Sequence, residues 1–332
     1  MIIKNTIYDN KTGLLDPKVK ARLDPNHLYS EKNIEHPVTL DNLDFKSMLG
    51  GYPEIKTDNL RVAENDILIP LDNHAIPARI YTPERTNGKC LIFIHGGGFY
   101  AGTLDSFNPR CRYLTDAGDF IIVSWTYRLA PETPFPGAYL DIKNSIDWIM
   151  THQNKIGFND TQIYMTGDSA GGELYVACGS IGNKHQIRHL FPMYAAIDIT
   201  DTSKTIYHWQ YSDYDMDPTD EPFIRARLNK FIYVNNVIRL LYPGIENVEN
   251  PFLIIPVYSH DFSKFPDITI IEAEFDYYLQ SNKCFVQKLR QAGKNVEEVF
   301  YKGMDHGFLD SSDSCNQSED LLQLIASEIN NN

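Results

Sequence analysis

A serine between two glycines directly follows a short apolar run. The sequence Gly-Asp-Ser-Ala-Gly occupies residues 167–171, after the apolar run 163–165 and before a stretch that can form a helix. A strand, a sharp turn and a helix in this order expose a serine hydroxyl, and the flanking glycines are needed because side chains there would collide with the adjoining strand and helix. Ser169 is therefore predicted to be the nucleophile of an acyl-transfer reaction.

A carboxylate and a histidine that could activate this serine follow two later apolar runs. Asp276 comes after the run 268–271, and His306 comes after the run 296–301. A serine hydroxyl is a poor nucleophile at neutral pH, so a histidine must accept its proton and a carboxylate must orient that histidine. We predict that His306 is the base and Asp276 the acid, at the same sheet edge as Ser169.

Three further carboxylates lie close enough in sequence to be alternatives to Asp276. Glu272 and Glu274 are expected at or just past the end of a strand, where capping or ion pairing is the usual role. Asp305 is adjacent to His306, and neighbours in a turn seldom reach each other's distal ring nitrogen. Asp276 is therefore the preferred acid.

A glycine-rich segment follows another apolar run. The sequence His-Gly-Gly-Gly-Phe at 95–99 comes directly after the run 91–94. Acyl transfer passes through a tetrahedral oxyanion, and residues without side chains let backbone N–H groups approach that oxygen. We predict that Gly97 and Gly98 donate two hydrogen bonds to it and that the N–H of Ala170, the residue after the nucleophile, donates a third.

The same segment has two other interpretations. His95 could itself be a base, but a histidine between a strand and a glycine loop is more often a brace for that loop. The glycine spacing at 96–101 also fits a relaxed dinucleotide-binding pattern, which needs an acidic residue at the end of the next strand. The next run, 120–125, continues into Thr-Tyr-Arg-Leu without a carboxylate. A nucleotide cofactor is therefore not expected, and no other cofactor is predicted.

Eight short apolar runs must position these residues. Several are apolar at consecutive positions, which is typical of strands buried on both faces of a parallel sheet. Helical spacing occurs between them, at 139–150, around 285–289 and from Ser318 onward. The alternation predicts an α/β sheet with right-handed crossovers. The predicted strands cover 67–71, 78–81, 91–94, 120–125, 163–165, 190–194, 268–271 and 296–301.

Two segments interrupt this alternation. The first is polar and rich in Asn, Asp and Lys, and the second carries many aromatic residues among charges. The first resembles an appendage more than a part of the core, and the second could form a lid over the site, although ordinary helix packing against the core would give a similar pattern. The predicted division is 1–58 as N-terminal cap segment, 59–199 as the first part of the core, 200–250 as cap insertion and 251–332 as the second part of the core.

The composition excludes several classes of protein. The chain has 332 residues, of which 42% are hydrophobic, so a large folded core is available. Its 30 basic and 44 acidic side chains give a net charge of -14, which disfavours nucleic acid and anionic membranes as partners. No secretion signal and no long apolar run was found, so we expect a cytoplasmic protein without a membrane span.

Disulfide and metal sites are not expected either. The five cysteines are an odd number, widely spaced and without a C-x-x-C pair. His185 and His189 are four residues apart, as two ligands on a helix could be, but the H-E-x-x-H pattern is absent. We therefore predict no metal.

Five motifs in order resemble the hormone-sensitive lipase family of α/β-hydrolases. The resemblance implies the α/β-hydrolase fold, with a mostly parallel eight-stranded sheet flanked by helices and a helical cap built from the N-terminal segment and a further insertion. Glu173 departs from the family pattern, which usually has Asn there, and 277–278 reads Tyr-Tyr instead of Pro-Leu. The matching segments are His-Gly-Gly-Gly-Phe at 95–99 with Gly102, Tyr-Arg-Leu-Ala-Pro-Glu at 127–132, Gly-Asp-Ser-Ala-Gly-Gly at 167–172, Ala-Glu-Phe-Asp at 273–276 and Gly-Met-Asp-His-Gly-Phe at 303–308.

The resemblance also implies an activity. We expect a serine carboxylesterase that hydrolyses small esters, by resemblance those with short acyl chains, through an acyl-enzyme intermediate. Two alternatives stay open at this point, an amide or formamide hydrolase with the same residues and a non-catalytic small-molecule-binding protein on the same fold. The expected partner is a small-molecule ester, and a homo-oligomer remains possible.

Overall fold

A single sheet of nine strands forms the centre of the computed structural model. The strands are β1 (Ile2–Lys4), β2 (Val62–Pro70), β3 (Ala75–Pro83), β4 (Cys90–Ile94), β5 (Ile121–Trp125), β6 (Ile163–Asp168), β7 (Ile187–Met193), β8 (Asp267–Phe275) and β9 (Val296–Asp305). Their order across the sheet is β1-β9-β8-β7-β6-β4-β5-β3-β2. The residues described by the structure are 1–5, 11–23, 28–35, 39, 43, 59–159, 161–180, 187–242, 255–259, 261–263, 265–311 and 316–332.

The sheet is mostly parallel, as the sequence predicted. Only β2 with β3 and β3 with β5 pair in antiparallel fashion among the described strands. Every residue of β4, β5 and β6 is buried, which requires cover on both faces of the sheet. Each of the eight predicted apolar runs lies in or overlaps one of the strands β2 to β9.

The ninth strand corrects the predicted count of eight. Strand β1 pairs in parallel with β9 at the edge of the sheet, with Ile2 opposite Val299. It has three residues, and Ile2 and Ile3 are 45% and 53% exposed, so no buried apolar pattern marks it. This strand belongs to the sheet although it lies in the segment 1–58 predicted as a cap. The division into core and cap otherwise stays a prediction.

Helices pack on the sheet in the order expected for an α/β fold. The predicted helices at 139–150 and 285–289 are both present, and the last helix begins two residues before Ser318. The helices are α1 (Pro17–Ala21), α2 (Lys32–Glu35), α3 (Leu104–Gly118), α4 (Gly137–Thr151), α5 (Gln153–Ile156), α6 (Ser169–Ser180), α7 (Glu221–Leu241), α8 (Leu279–Gln291) and α9 (Asn316–Asn331). Helix α3 packs against α9, and α4 packs against α6.

Helix α7 lies within the predicted insertion and is held by the N-terminal segment. The backbone N–H of Leu15 donates to the carboxylate of Asp220, just before α7, at 2.9 Å. The side-chain amide of Asn229 donates to the carbonyl of Tyr29 at 3.0 Å. The N–H of Asp16 donates to the carbonyl of Gly303 on β9 at 3.0 Å. These contacts join α7 and the N-terminal segment beside the carboxyl ends of the strands.

Candidate active site

Ser169 lies at the sharp turn between β6 and α6. Its backbone has φ of 51°, in the left-handed region that residues other than glycine rarely adopt. A β-carbon on Gly171 would come within 2.3 Å of the carbonyl oxygen of Ile94, so the close approach of α6 to β4 requires glycine there. The strained turn, which costs about 1–3 kcal/mol, turns the serine side chain toward the cavity above the sheet edge.

The three residues predicted to act together are in direct contact. The Oγ of Ser169 lies 2.8 Å from Nε2 of His306, and Nδ1 of His306 lies 2.9 Å from Oδ2 of Asp276. The other carboxylate oxygen of Asp276 accepts a hydrogen bond from the N–H of Tyr278 at 2.8 Å. When Nδ1–H donates to the carboxylate, Nε2 is left as an acceptor for the serine hydroxyl. This arrangement can remove the proton of Ser169.

Aromatic rings surround His306. The ring centroid of Phe231 on α7 lies 4.2 Å from that of the imidazole, and the rings of Tyr194 and Tyr278 lie at 5.1 and 5.3 Å. His306 is 5% exposed and Asp276 is 1% exposed. Because water is largely excluded, the hydrogen bond between these two side chains is stronger than it would be in solvent.

The alternative acids on β8 do not contact His306. The strand extends to Phe275, so the expectation that Glu272 and Glu274 lie at or past its end was wrong. Burial, with the negative charge of Glu298, raises the pKa of Glu272 to about 8. Glu274 accepts a hydrogen bond from the N–H of Gly303 at 2.7 Å. Both therefore have a place inside the sheet and not at the histidine.

Asp305 is bound by two arginines. Its Oδ1 lies 2.9 Å from Nη2 of Arg22, and its Oδ2 lies 2.6 Å from Nε of Arg227. Burial alone would raise the pKa of Asp305, but the two guanidinium groups outweigh it and hold that pKa below its ordinary value. Asp305 is therefore an ion-pair partner, and Asp276 is the carboxylate that touches the imidazole.

The glycine loop borders the same cavity. Gly97 has φ of 123°, and a β-carbon there would lie 2.2 Å from the carbonyl oxygen of Ala101. Within the described part of the chain, the N–H groups of Gly97 and Gly98 donate no hydrogen bond. Gly97, Gly98 and Ala170 line one cavity together with Ser169. All three residues therefore border the serine, and their role as oxyanion donors stays a prediction.

Asp168 fixes the position of this loop. Its Oδ1 accepts a hydrogen bond from the N–H of Gly96 at 2.7 Å. Burial, together with the negative charge of Asp310, raises the pKa of Asp168 to about 7. The residue before the serine therefore connects the turn of β6 to the loop after β4.

His95 has the bracing role that the sequence favoured. Its ring is fully buried, and Nδ1 donates to the carbonyl of Gly96 at 2.7 Å. The ring stacks on Tyr127 at 4.6 Å and on Phe107 at 5.9 Å. Burial lowers the pKa of His95 to about 4, so the ring is neutral at physiological pH. His95 therefore stabilises the glycine loop through buried contacts and does not line the cavity.

Neither departure from the family pattern displaces the site. Glu173 is fully buried on α6, and neither of its carboxylate oxygens has a hydrogen-bond partner among the described residues. Burial raises the pKa of Glu173 well above its ordinary value. Tyr277 and Tyr278 are both buried, and the N–H of Tyr278 orients Asp276.

A cavity of about 240 Å³ lies above the serine. Sequence reasoning identified the residues below it but missed the cations Arg22, Arg227 and Lys230. Helix α7 contributes three apolar side chains, Phe231, Val234 and Ile238. The lining positions of α7 are three and four residues apart, a helical spacing that could have indicated a shared face. The lining residues are Arg22, Gly97, Gly98, Tyr100, Asp168, Ser169, Ala170, Tyr194, Ala196, Arg227, Lys230, Phe231, Val234, Ile238, Tyr278, His306, Gly307 and Asp310.

Neither a metal site nor a membrane-spanning helix is found among the described residues. No group of three His, Cys, Asp or Glu side chains in the described ranges is placed to hold a metal ion. His185 lies outside those ranges, and Nε2 of His189 lies 2.8 Å from the hydroxyl of Thr269. None of the described helices is both long and apolar enough to cross a membrane.

Comparisons with known proteins agree with this geometry. Residues 91–310 match the family model for the alpha/beta hydrolase fold. The chain is 26% identical to an arylesterase of Saccharolobus solfataricus over 80% of this chain and 83% of the relative. It is 25% identical to the carboxylic ester hydrolase LipN of Mycobacterium tuberculosis strain H37Rv, over 92% of this chain and 79% of that protein.

A solved structure adds a third similarity. An esterase from Pyrobaculum calidifontis superposes with a TM-score of 0.69 at 26% identity, covering 81% of this chain and 85% of that one. The family match covers more than half of the chain, and the named relatives are esterases and carboxylesterases. The non-catalytic alternative is therefore set aside. The chain belongs to the α/β-hydrolase fold family, within its hormone-sensitive lipase group, and is a carboxylic ester hydrolase.

Proposed function

We propose that this enzyme hydrolyses small carboxylic esters through an acyl-enzyme formed on Ser169. The observation that carries the proposal is the unbroken series of contacts from Asp276 through His306 to Ser169, with distances of 2.9 and 2.8 Å. The three groups are a carboxylate, an imidazole and a hydroxyl, which together form a strong nucleophile at neutral pH.

The reaction follows from these contacts in two halves. In the first, Nε2 of His306 accepts the hydroxyl proton while Oγ of Ser169 attacks the ester carbonyl, and the same proton then passes to the departing alcohol. In the second, His306 takes a proton from a water molecule that attacks the acyl carbonyl, and the same proton then passes to Oγ of Ser169 as its bond to the acyl group breaks and the acid is released. Asp276 keeps Nδ1–H of the ring oriented throughout and stabilises the imidazolium.

The developing oxyanion is assigned to the amides around the serine. The N–H groups of Gly97, Gly98 and Ala170 line the cavity beside Ser169. Donors fixed by the fold stabilise charge that appears only in the transition state, and each is worth about 10²–10³ in rate.

A short acyl chain fits this cavity best. Its volume of about 240 Å³ is below the range of about 300–1,000 Å³ that is usual for ligand pockets. Phe231, Val234 and Ile238 of α7 form its apolar side. A panel of p-nitrophenyl esters from acetate to laurate would show activity falling with chain length; highest activity on laurate would contradict the proposal.

The nucleophile is tested by Ser169→Ala with p-nitrophenyl acetate as substrate. We expect turnover to fall to background while circular dichroism and thermal unfolding stay unchanged. Ser327→Ala, an exposed serine on α9, is the matched control and should retain full activity. Substantial activity in Ser169→Ala would exclude the proposed nucleophile. Running p-nitroacetanilide in parallel separates ester from amide hydrolysis, since the same groups could act on both.

A further inference from the structure

Three cationic side chains line the cavity that contains Ser169. Arg22 comes from the N-terminal segment, and Arg227 and Lys230 come from α7. The chain as a whole carries a net charge of -14, so this concentration of positive charge differs from the average of the molecule. Hydrolysis of a neutral ester requires no arginine or lysine beside the catalytic groups. The position of these three cations therefore gives information about the substrate.

The two arginines share one buried carboxylate, and Lys230 has none of its own. Asp305 is paired with Arg22 at 2.9 Å and with Arg227 at 2.6 Å. Arg227 also donates to the carbonyl of His306 at 3.1 Å. Across the described ranges, Lys230 forms no ion pair or hydrogen bond. Two of the three cations are thus paired with Asp305, and Lys230 is left without a direct partner among the described residues.

The two carboxylates that line the cavity, Asp168 and Asp310, have other partners. Asp310 lies 3.4 Å from Nη2 of the buried Arg110, and Asp168 accepts the N–H of Gly96. Burial and the nearby charge of Arg227 lower the pKa of Lys230 to about 8. At physiological pH the ammonium is therefore mostly charged, partly buried and open to the cavity. Such a charge is costly unless an anion pairs with it.

The position of these cations relative to the serine is set by α7. The ring of Phe231 packs on His306 at 4.2 Å, so this position of α7 lies beside the imidazole that contacts Ser169. Arg227 and Lys230 precede Phe231 on the helix, and the apolar Val234 and Ile238, which also line the cavity, follow it. With a rise of 1.5 Å per residue, Lys230 and Ile238 are separated by about 12 Å along the axis. One arm of a bound ester would meet cations and the other would meet apolar side chains.

We propose that the substrates are esters with one short apolar arm and one arm that carries an anionic group, a carboxylate or a phosphate, bound by Lys230 with Arg22 and Arg227. Guanidinium groups suit both anions because their N–H donors match the spacing of two oxygens, and an ammonium adds a point charge. The inference rests on the proposed ester hydrolysis and adds the class of substrate to it.

The kinetic test compares matched anionic and neutral esters. Monoethyl glutarate is paired with diethyl glutarate for the carboxylate, and 1-butyrylglycerol 3-phosphate is paired with 1-butyrylglycerol for the phosphate. We expect the ratio of kcat/KM, anionic over neutral, to exceed one in at least one pair, and the pair identifies the anion. Lys230→Gln should lower that ratio about tenfold, and Lys230→Glu should lower it further. Lys155→Gln, which removes an exposed charge on α5, should leave the ratio unchanged.

A binding test separates this inference from the proposed function. Glutarate and glycerol 3-phosphate are titrated calorimetrically into Ser169→Ala and into Ser169→Ala with Lys230→Gln. Binding of one anion that weakens about tenfold in the double variant supports the inference even if no ester is turned over. Ratios below one in both pairs, or ratios and binding that Lys230→Gln does not change, would overturn it. Turnover of the neutral esters would then still support the proposed function.

Discussion

The floor and the wall of the cavity are built in different ways. The floor consists of Ser169, Asp276, His306 and the loop 95–99, each placed where a strand of the parallel sheet ends. The wall consists of the cavity-facing side chains of α7 together with Arg22. In the proposed mechanism the floor provides the groups that act on an ester carbonyl, whereas the wall selects the ester that binds. The proposed reaction and the proposed substrate class therefore depend on separate parts of the chain.

The largest expected effect comes from breaking the floor at its acid. Asp276→Asn keeps the size of the side chain but no longer fixes the correct tautomer of His306, so kcat should fall about ten-thousand-fold. Steady-state kinetics with p-nitrophenyl acetate would measure the loss. Glu274→Gln, on the same strand but bound to the N–H of Gly303, is the matched control. A larger loss of kcat in Glu274→Gln than in Asp276→Asn would show that the acid is not Asp276.

Displacing the oxyanion loop should have the next largest effect. In Gly97→Ala the new β-carbon would meet the carbonyl of Ala101 at 2.2 Å, so the loop must move and its amides lose their alignment. We expect kcat to fall about 10²–10³-fold. Gly293→Ala controls for backbone strain, because Gly293 also has positive φ but has open space around it. Equal activity of the two variants would argue against an oxyanion role for this loop.

The preference for an anionic ester should depend on pH through the charge of Lys230 in the wall of the cavity. Lys230 is cationic below its pKa of about 8 and neutral above it, so the preference for an anionic ester should weaken as the pH rises through that value. Its charged neighbours are Arg227 on the same helix, Arg22 on the N-terminal segment and Asp305 at the end of β9. Asp168, whose pKa burial raises to about 7, and Asp310, whose pKa burial also raises, line the same cavity.

The measurement is the ratio of kcat/KM for the matched esters across that pH range. Effects of pH on Ser169, His306 and Asp276 cancel in the ratio because both esters use the same catalytic groups. Ionisation of Asp168 does not cancel, because this carboxyl lines the cavity and acts on the anionic ester alone. Lys230→Arg, whose charge persists, should therefore make the fall of the ratio shallower around pH 8. A ratio that falls as steeply in this variant as in the parent enzyme would assign the titration to another group, such as Asp168.

The smallest expected effect is a change in stability at Glu173, which is buried on α6. Glu173 is buried without a partner in the described residues, and its raised pKa means that the folded state loses stability as the pH rises above the ordinary value of about 4.5. Glu173→Gln should increase the free energy of unfolding on the order of 1 kcal/mol at about pH 8 and much less in acid. Urea unfolding measures it, with the exposed Glu132→Gln as control. Lower stability of Glu173→Gln at the higher pH would contradict this.

Sequence reasoning predicted the floor and not the wall, for a physical reason. Ser169, the glycine loop and eight strands are marked by local patterns, because a buried parallel strand and a tight turn each restrict neighbouring residues. Strand β1 was missed because its three residues bury almost nothing. Glu272 was misplaced because a carboxyl group inside a strand contradicts the usual pattern.

Arg22 and Lys230 had no local signal at all. More than two hundred positions separate them in sequence, and both reach the cavity only because the N-terminal segment packs against α7. Such a meeting depends on tertiary packing and leaves no fixed spacing in a single sequence. A substrate preference carried by the wall therefore becomes visible only in the folded molecule.

The proposed mechanism depends on His306, which activates Oγ of Ser169 so that this oxygen becomes acylated. Reaction with diethyl p-nitrophenyl phosphate, followed by peptide mass spectrometry, tests it directly. We expect a single diethylphosphoryl group on the peptide that contains Ser169, formed far more slowly in His306→Ala and absent in Ser169→Ala. Labelling of a different residue that accompanies loss of esterase activity, with Ser169 unmodified, would contradict it.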